Sequence, residues 1–91
     1  MGSASEFLDM TAEEVAYVEL KLALAVHVRK IREQRGWTQT EVARLLGSSQ
    51  SRVAKMEAAD WSVSLDLLVK SLLAMGASRR EVGRVIAARA A

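Results

Sequence analysis

Helix-start signals recur along this sequence, and they constrain its fold more strongly than any other feature. A capping box is a Ser or Thr N-cap followed three residues later by Glu, and each side chain bonds the other's backbone N–H group. Such boxes begin at Thr11, at Thr38 and at Ser78. The 91 residues contain no proline that would interrupt a helix once it has started. The sequence therefore predicts an all-α fold.

Single serine caps and glycine stops complete the helix boundaries. Serine is a favoured N-cap, and glycine is favoured just past a helix end because it adopts a positive φ without steric cost. These signals leave a loop at 58–63 and no segment for a sheet. They predict five helices, which run from Thr11 to Arg35, from Thr38 to Gly47, from Ser49 to Glu57, from Ser64 to Met75, and from Ser78 onward. Val82, Val85 and Ile86 of the fifth helix are expected to face the core.

The first helix also carries a competing pattern. Apolar residues occupy every even position from Val18 to Val28, an alternation typical of a strand. The helix is favoured by its capping box, by the abundance of Ala, Leu, Glu and Lys, and by Leu24, Val28 and Ile31 at helical spacing. A helix apolar on so many sides should be buried on more than one side, one face against its own domain and the other against a partner.

Missing residue types exclude several kinds of chemistry. The chain has no cysteine for disulfides, thiol catalysis or thiolate metal sites, and one histidine, His27, cannot form a multi-histidine metal site. No Ser/His/Asp or Cys/His set and no phosphate-cradling glycine loop appears. We therefore expect a protein that is not an enzyme and that needs no cofactor. For His27, a packed or surface histidine is favoured over a pH switch.

The length and the ends of the chain predict one small domain. Residues 1–9 resemble a cloning remnant or a disordered terminus, and residues 10–91 are expected to form a single domain. The start lacks the basic region and apolar core of a signal peptide, and no apolar run is long enough for a membrane span. Without a disulfide framework, the expected location is the cytoplasm.

Charge is distributed unevenly along the chain. The formal net charge is +2 overall, yet residues 1–28 carry five acids and one base, and residues 29–57 carry seven bases and three acids. A basic middle behind an acidic start indicates a polyanion-binding face, with an ordinary solvated helical surface as the alternative.

The stretch from Gln39 to Met56 carries the functional signal. It holds two short helices joined by Gly47-Ser48-Ser49, with a small residue, Ala43, where the helices would cross closely. The wedge between the helices is predicted to be filled by Val42, Leu46, Val53 and Met56. The outer face of the second helix is left to Gln50, Ser51, Ala54 and Lys55. These spacings are those of a helix-turn-helix, whose second helix enters the major groove of DNA, and the motif is assigned to residues 38–57.

The stretch resembles the Cro/repressor-like helix-turn-helix family, also called the Xre family, over about residues 22–75. The residues that carry the resemblance are Arg32, Gly36-Trp37-Thr38-Gln39, Val42-Ala43, Leu46-Gly47, Ser49-Gln50-Ser51, Val53 and Met56-Glu57. The long first helix, Ser49–Val53 and Trp61–Asp66 are similar to single-domain members encoded as antitoxins beside a small ribonuclease toxin. The resemblance implies a five-helix repressor-like DNA-binding domain.

The family's functional positions match polar residues here. The resemblance implies that Gln39 holds a phosphate and that Gln50 reads a base, usually adenine, whose N7 and N6 edge suits a glutamine amide. It also implies that Ser51 and Lys55 face the bases and that Arg52 faces the backbone. The expected DNA-binding residues are therefore Gln39, Ser49, Gln50, Ser51, Arg52 and Lys55.

Two departures from the family pattern stand out. Ser48 replaces the usual Val or Ile and loses wedge packing, and Ala58-Ala59-Asp60 lacks the glycine that usually follows the recognition helix. Asp60 would add a negative charge near a phosphate. Trp37 is expected to staple the core, and Trp61 to pack either under its own loop or against a partner.

These features together predict a sequence-specific DNA-binding transcriptional regulator, a repressor that binds an operator in double-stranded DNA as a homodimer. The alternative is an antitoxin that neutralises a small toxin protein and also regulates its own operon. A third reading, a pure protein-interaction module, is disfavoured by the intact Gln50 and the basic middle.

Overall fold

The computed structural model describes residues 9–88, and this part of the chain is helical with no strand. The expected terminal segment 1–9 lies, apart from Asp9, outside the described residues. The five predicted helices are confirmed, and the first, second and fourth end one residue before the predicted end: α1 Ala12–Gln34, α2 Gln39–Leu46, α3 Gln50–Glu57, α4 Leu65–Ala74 and α5 Arg79–Ala87. None of the helices within residues 9–88 combines the length and apolarity that crossing a bilayer requires.

The capping boxes form at the first two predicted helix starts. The Thr11 N–H donates to Glu14 Oε1 over 2.8 Å, and the Glu14 N–H donates back to Thr11 Oγ1 over 3.1 Å. Thr38 and Glu41 make the same reciprocal pair over 2.8 and 3.0 Å, and these bonds lower the pKa of Glu41. The strand alternative for residues 18–28 is wrong, because this segment lies within the helix α1.

The third predicted capping box forms only in half. The Glu81 N–H donates to Ser78 Oγ over 3.0 Å, but the Glu81 carboxylate bonds His27 instead of completing the box, with Oε2 2.6 Å from Nε2. This contact joins α5 to α1 and lowers the pKa of Glu81 below its usual value. His27 is therefore a partly buried residue that links two helices, in agreement with the prediction of a packed or surface histidine.

One core is shared by the five helices: α1 packs against α3, α4 and α5, and α2 packs against α3 and α4. The inner face of α1 presents Leu24, Ala25, Val28 and Ile31, which are all buried. The other fully buried large side chains come from α2, α3 and α4 and from the turn after α4: Val42, Val53, Met56, Leu68, Leu72 and Met75. In α5 the prediction was right for Val82, which is buried, and wrong for Ile86, which is 47% exposed because it borders an open groove between α5 and α1.

Four helices end in the same hydrogen-bonded turn, in which two N–H groups past the helix end bond carbonyls of its last turn. This turn needs a positive φ at its centre, and Gly36, Gly47 and Gly76 supply it after α1, α2 and α4. After α3 the central residue is Ala59, with φ 52°. The Ala59 N–H bonds Met56 O over 3.1 Å, and the Asp60 N–H bonds Lys55 O over 3.0 Å.

We expect Ala59→Gly to stabilise the protein. An L-residue in the left-handed region costs about 1–2 kcal/mol of stability, which a glycine avoids. Because glycine also makes the unfolded chain more flexible, roughly half of this gain is lost. With some loss of methyl packing, the free energy of unfolding should rise by about 0.5 kcal/mol in urea denaturation.

The matched control is Gly47→Ala. A Cβ there meets no atom within 4 Å, but φ is 63°, so this change should destabilise by about 1 kcal/mol through conformation alone. A lower stability for Ala59→Gly would show that the methyl group matters more than the strain.

Candidate nucleic-acid interface

The helices α2 and α3 pack as the predicted motif requires. Val42, Val53 and Met56 are fully buried between them, and Ala43 is buried at 4% exposure. Gly47 makes the turn in the left-handed region. Ser48 borders a groove of about 260 Å³ between α2 and α4, which agrees with the packing loss expected where a larger apolar residue would stand.

A chain of hydrogen bonds connects α1 to the exposed start of α3. Arg32 donates two hydrogen bonds to Glu57, from Nε to Oε2 over 2.6 Å and from Nη2 to Oε1 over 3.1 Å. The Gln39 amide then donates to Glu57 Oε1 over 3.2 Å. The Gln50 amide in turn donates to Gln39 Oε1 over 2.6 Å. The four side chains, from Arg32 through Glu57 and Gln39 to Gln50, are called the Arg–Gln relay below.

The ion pair at the inner end of the relay is well shielded. The side chains of Arg32 and Glu57 are only 15% and 7% exposed, and Arg32 Nη1 also donates to the Trp37 carbonyl over 3.1 Å. The hydrogen bond with Glu57 raises the pKa of Arg32 above its ordinary value. Trp37 itself packs against the core, as predicted, and its ring lies 5.3 Å from the Arg35 guanidinium carbon.

The charge of Glu57 fixes which way both glutamine amides point. An ionised carboxylate only accepts hydrogen bonds, so Gln39 must turn its NH₂ group toward Glu57 and its oxygen outward. That oxygen only accepts, so Gln50 must turn its NH₂ group toward Gln39. The relay therefore leaves Gln50 with a free oxygen and one free N–H.

The free groups on the two glutamines match two different ligands. A glutamine oxygen and N–H side by side can accept from adenine N6 and donate to adenine N7. Gln50 is exposed, so both groups can reach a base edge. Gln39 is half-buried and keeps one N–H beyond its bond to Glu57, near the start of α2, where free backbone N–H groups favour an anion.

The other predicted site residues lie on the same exposed helix. Ser51, Arg52 and Lys55 are exposed on α3. Ser49 is the N-cap, and its Oγ accepts from the Arg52 N–H over 3.1 Å, which leaves its hydroxyl hydrogen available to donate. The structure thus places all six candidate residues on α3 or at the facing starts of α2 and α3.

Asp60, the acid expected near a phosphate, forms a local turn. Its carboxylate accepts from the Ser62 N–H over 3.0 Å and the Ser62 hydroxyl over 2.6 Å, and these bonds lower its pKa. Its carbonyl accepts from Lys21 Nζ over 2.9 Å. The turn after α3 is therefore tied to α1.

Sequence reasoning missed the role of Glu57. Only its place in the resemblance was noted, although a signal was available, because Glu57 stands four residues after Val53 on the buried face of α3. An acid at a core position requires a cationic partner, and Arg32 occupies the matching position on α1.

We expect Glu57→Gln to destabilise the fold by about 1–3 kcal/mol, because it leaves the shielded Arg32 without its charged acceptor. The matched control is Glu33→Gln, which breaks the exposed Arg29–Glu33 pair (3.1 Å) and should cost below about 0.5 kcal/mol. Urea denaturation measures both. Equal losses would show that the Arg32–Glu57 pair contributes no more than a surface pair.

Comparisons with known proteins agree with this geometry. A family model described as helix-turn-helix matches residues 28–82, which include all four relay residues. The chain is 32% identical over 69 residues to a protein of Neisseria meningitidis serogroup B (strain ATCC BAA-335 / MC58) named "Neisseria hypothetical transcription factor". That match covers 76% of this chain and 65% of the relative, so the chain spans slightly less than two thirds of the relative's length. No solved structure gives a significant match. On the family match and the packing of α2 against α3, this chain belongs to the Xre-type helix-turn-helix family.

Proposed function

We propose that this protein is a sequence-specific DNA-binding transcription regulator, a repressor that binds its operator as a homodimer through the major groove. The observation that carries the proposal is the orientation of Gln50, whose exposed amide is held by the Arg–Gln relay with one acceptor and one donor free. A preset amide loses little conformational entropy on meeting an adenine edge. The name of the Neisseria relative, a hypothetical transcription factor, supports the same class of function.

Dimerisation follows from the small size of the reading element. The eight residues of α3 reach few base pairs, and useful affinity normally needs two half-sites. A homodimer would read half-sites about 34 Å apart, one turn of DNA. Repression follows in the simplest way from such binding, because a dimer seated on an operator excludes other proteins from it.

An antitoxin is the second candidate function, and one observation favours it. Trp61 is 97% exposed, beside the exposed Tyr17 of α1. An aromatic side chain so exposed is typical of a protein-binding surface. The discriminating observation is a neighbouring open reading frame for a small basic ribonuclease whose product binds this protein and is inhibited by it.

DNA binding should weaken steeply with salt. If Arg52, Lys55 and one basic residue of the segment 29–44 contact phosphates in each subunit, a dimer makes roughly six phosphate contacts. A plot of log K against log salt concentration should then fall with a slope of about −5. Arg52→Gln should reduce the slope by about 2, because it removes two contacts per dimer. Fluorescence anisotropy on operator DNA measures both slopes.

The control for the salt experiment is Lys70→Gln. Lys70 is exposed on α4, where it pairs with Asp66 over 3.1 Å, and its loss should leave the slope unchanged. A wild-type slope near zero would mean that the basic middle is not the DNA face.

Gln50→Ala and Gln39→Ala should differ in their effect on specificity. Gln50→Ala removes a bidentate base contact worth about 1–3 kcal/mol per half-site, and only on the preferred sequence. Gln39→Ala removes a phosphate contact and should weaken binding to all sequences, with a smaller secondary loss of preference because Gln50 loses its support. Binding to operator and to scrambled DNA measures the two ratios.

Circular dichroism is the control for both glutamine variants, and the helical signal should persist. An unchanged ratio of specific to nonspecific binding in folded Gln50→Ala would contradict the assignment of Gln50 as base reader and would direct attention to Ser51 or Lys55.

A further inference from the structure

The outer face of α1 carries a regular row that the domain leaves uncovered. At spacings of four residues, the row consists of Glu14, Val18, Leu22, Val26 and Lys30, and it is called the α1 stripe below. Its three apolar members are 37%, 48% and 64% exposed in chain order. Residues four apart form one continuous ridge on a helix surface. The stripe is therefore an apolar ridge with an acid at one end and a base at the other.

We propose that a second copy of this chain covers the α1 stripe in an antiparallel arrangement, with Leu22 on the two-fold axis. The inference rests on the proposed homodimer and names its interface. In this arrangement residue i of one copy faces residue 44 − i of the other. Val18 then faces Val26, and Glu14 faces Lys30, each pair occurring twice, as an isologous interface requires.

Charge selects the antiparallel direction. In a parallel pair Glu14 would face Glu14 and Lys30 would face Lys30, which places like charges together at both ends. The groups are available for the antiparallel pairs. Glu14 accepts the Thr11 N–H through Oε1 alone, which leaves Oε2 for the Lys30 of the second copy. Lys30 makes no hydrogen bond or ion pair among residues 9–88. The neighbouring Arg29 already pairs with Glu33.

The competing surface on α5 is less suited to a symmetric contact. Its exposed large apolar residue is Ile86, and the nine-residue helix also carries Arg79, Arg80 and Arg84. The α1 stripe presents three apolar residues and balanced charge, so it is the better interface.

The arrangement also suits DNA binding. A two-fold axis that lies between the two crossed α1 helices, roughly at right angles to both, keeps the same flank of each helix on the same side of the dimer. Residues 59 and 61–64, which follow α3 closely, line a groove with Val18 and Leu22 on one flank of α1. Both copies therefore carry the end of α3 on one side of the dimer.

Single cysteines test the register, because the chain contains none. Packed helices lie about 8–10 Å apart, and Cα atoms stand about 2.3 Å from each axis, so facing Cα atoms come within disulfide range. Leu22→Cys should cross-link to itself under mild oxidation at tens of micromolar protein. Val18→Cys should not, since its counterpart lies eight residues, about 12 Å, along the helix. The double variant Val18→Cys/Val26→Cys should cross-link.

Two outcomes would overturn the proposal. If Val18→Cys cross-links as readily as Leu22→Cys, the helices are parallel or the contact is random collision. If Ile86→Cys cross-links and Leu22→Cys does not, the interface is on α5. Because both sites are half exposed, neither change should prevent folding, and circular dichroism verifies this.

Sedimentation without DNA tests the charges and separates this inference from the proposed function. Lys30→Glu should weaken the dimer about tenfold and Leu22→Glu at least about a hundredfold, whereas Lys70→Glu should leave it unchanged. A dimer that survives Leu22→Glu contradicts the interface. Monomeric Leu22→Glu should still prefer a half-site over scrambled DNA, and a lack of preference in both this variant and wild type would contradict DNA reading instead.

Discussion

The ion pair between Arg32 and Glu57 is the interaction on which the arrangement of the site depends. It joins the end of α1 to the end of α3 with two hydrogen bonds, in surroundings that leave Glu57 only 7% exposed. A shielded carboxylate can only accept, and this single constraint sets the direction of the Gln39 amide and then of the Gln50 amide. A buried charge pair thereby determines which atoms an exposed side chain presents.

The long helix α1 serves two surfaces with opposite faces. Its inner face packs against α3, α4 and α5 and contributes Leu24, Val28 and Ile31 to the core. Its outer face keeps an apolar ridge exposed, which costs solvation in a monomer and which a partner can cover. The same helix also holds the turn after α3 through Lys21 and holds α5 through His27. In a dimer built on α1, these bonds would therefore hold α3 in a fixed position relative to the interface.

The turn after α3 shows how tertiary contacts hold a locally unfavourable conformation. Ala59 adopts a positive φ that glycine supplies in the three similar turns. Around it, Lys21 donates to the Asp60 carbonyl and the Asp60 carboxylate accepts from Ser62. These bonds fix the chain just after the strained residue, and the last turn of α3 fixes it just before. They also leave Trp61 pointing away from the domain at 97% exposure.

The sequence by itself determined the five helices, because their caps and stops are local signals that act within one turn. It also determined the wedge of Val42, Leu46, Val53 and Met56, of which Leu46 alone is only partly buried. Only the tertiary structure decided where side chains with two possible partners went. The Glu81 carboxylate bonds His27, which is 54 residues away in sequence, and does not complete its own capping box. Glu57 found Arg32 across 25 residues, and the relay to Gln50 followed from that contact. Local patterns cannot rank such choices, because the competing bonds have similar strength and only the packed helices bring one partner within reach.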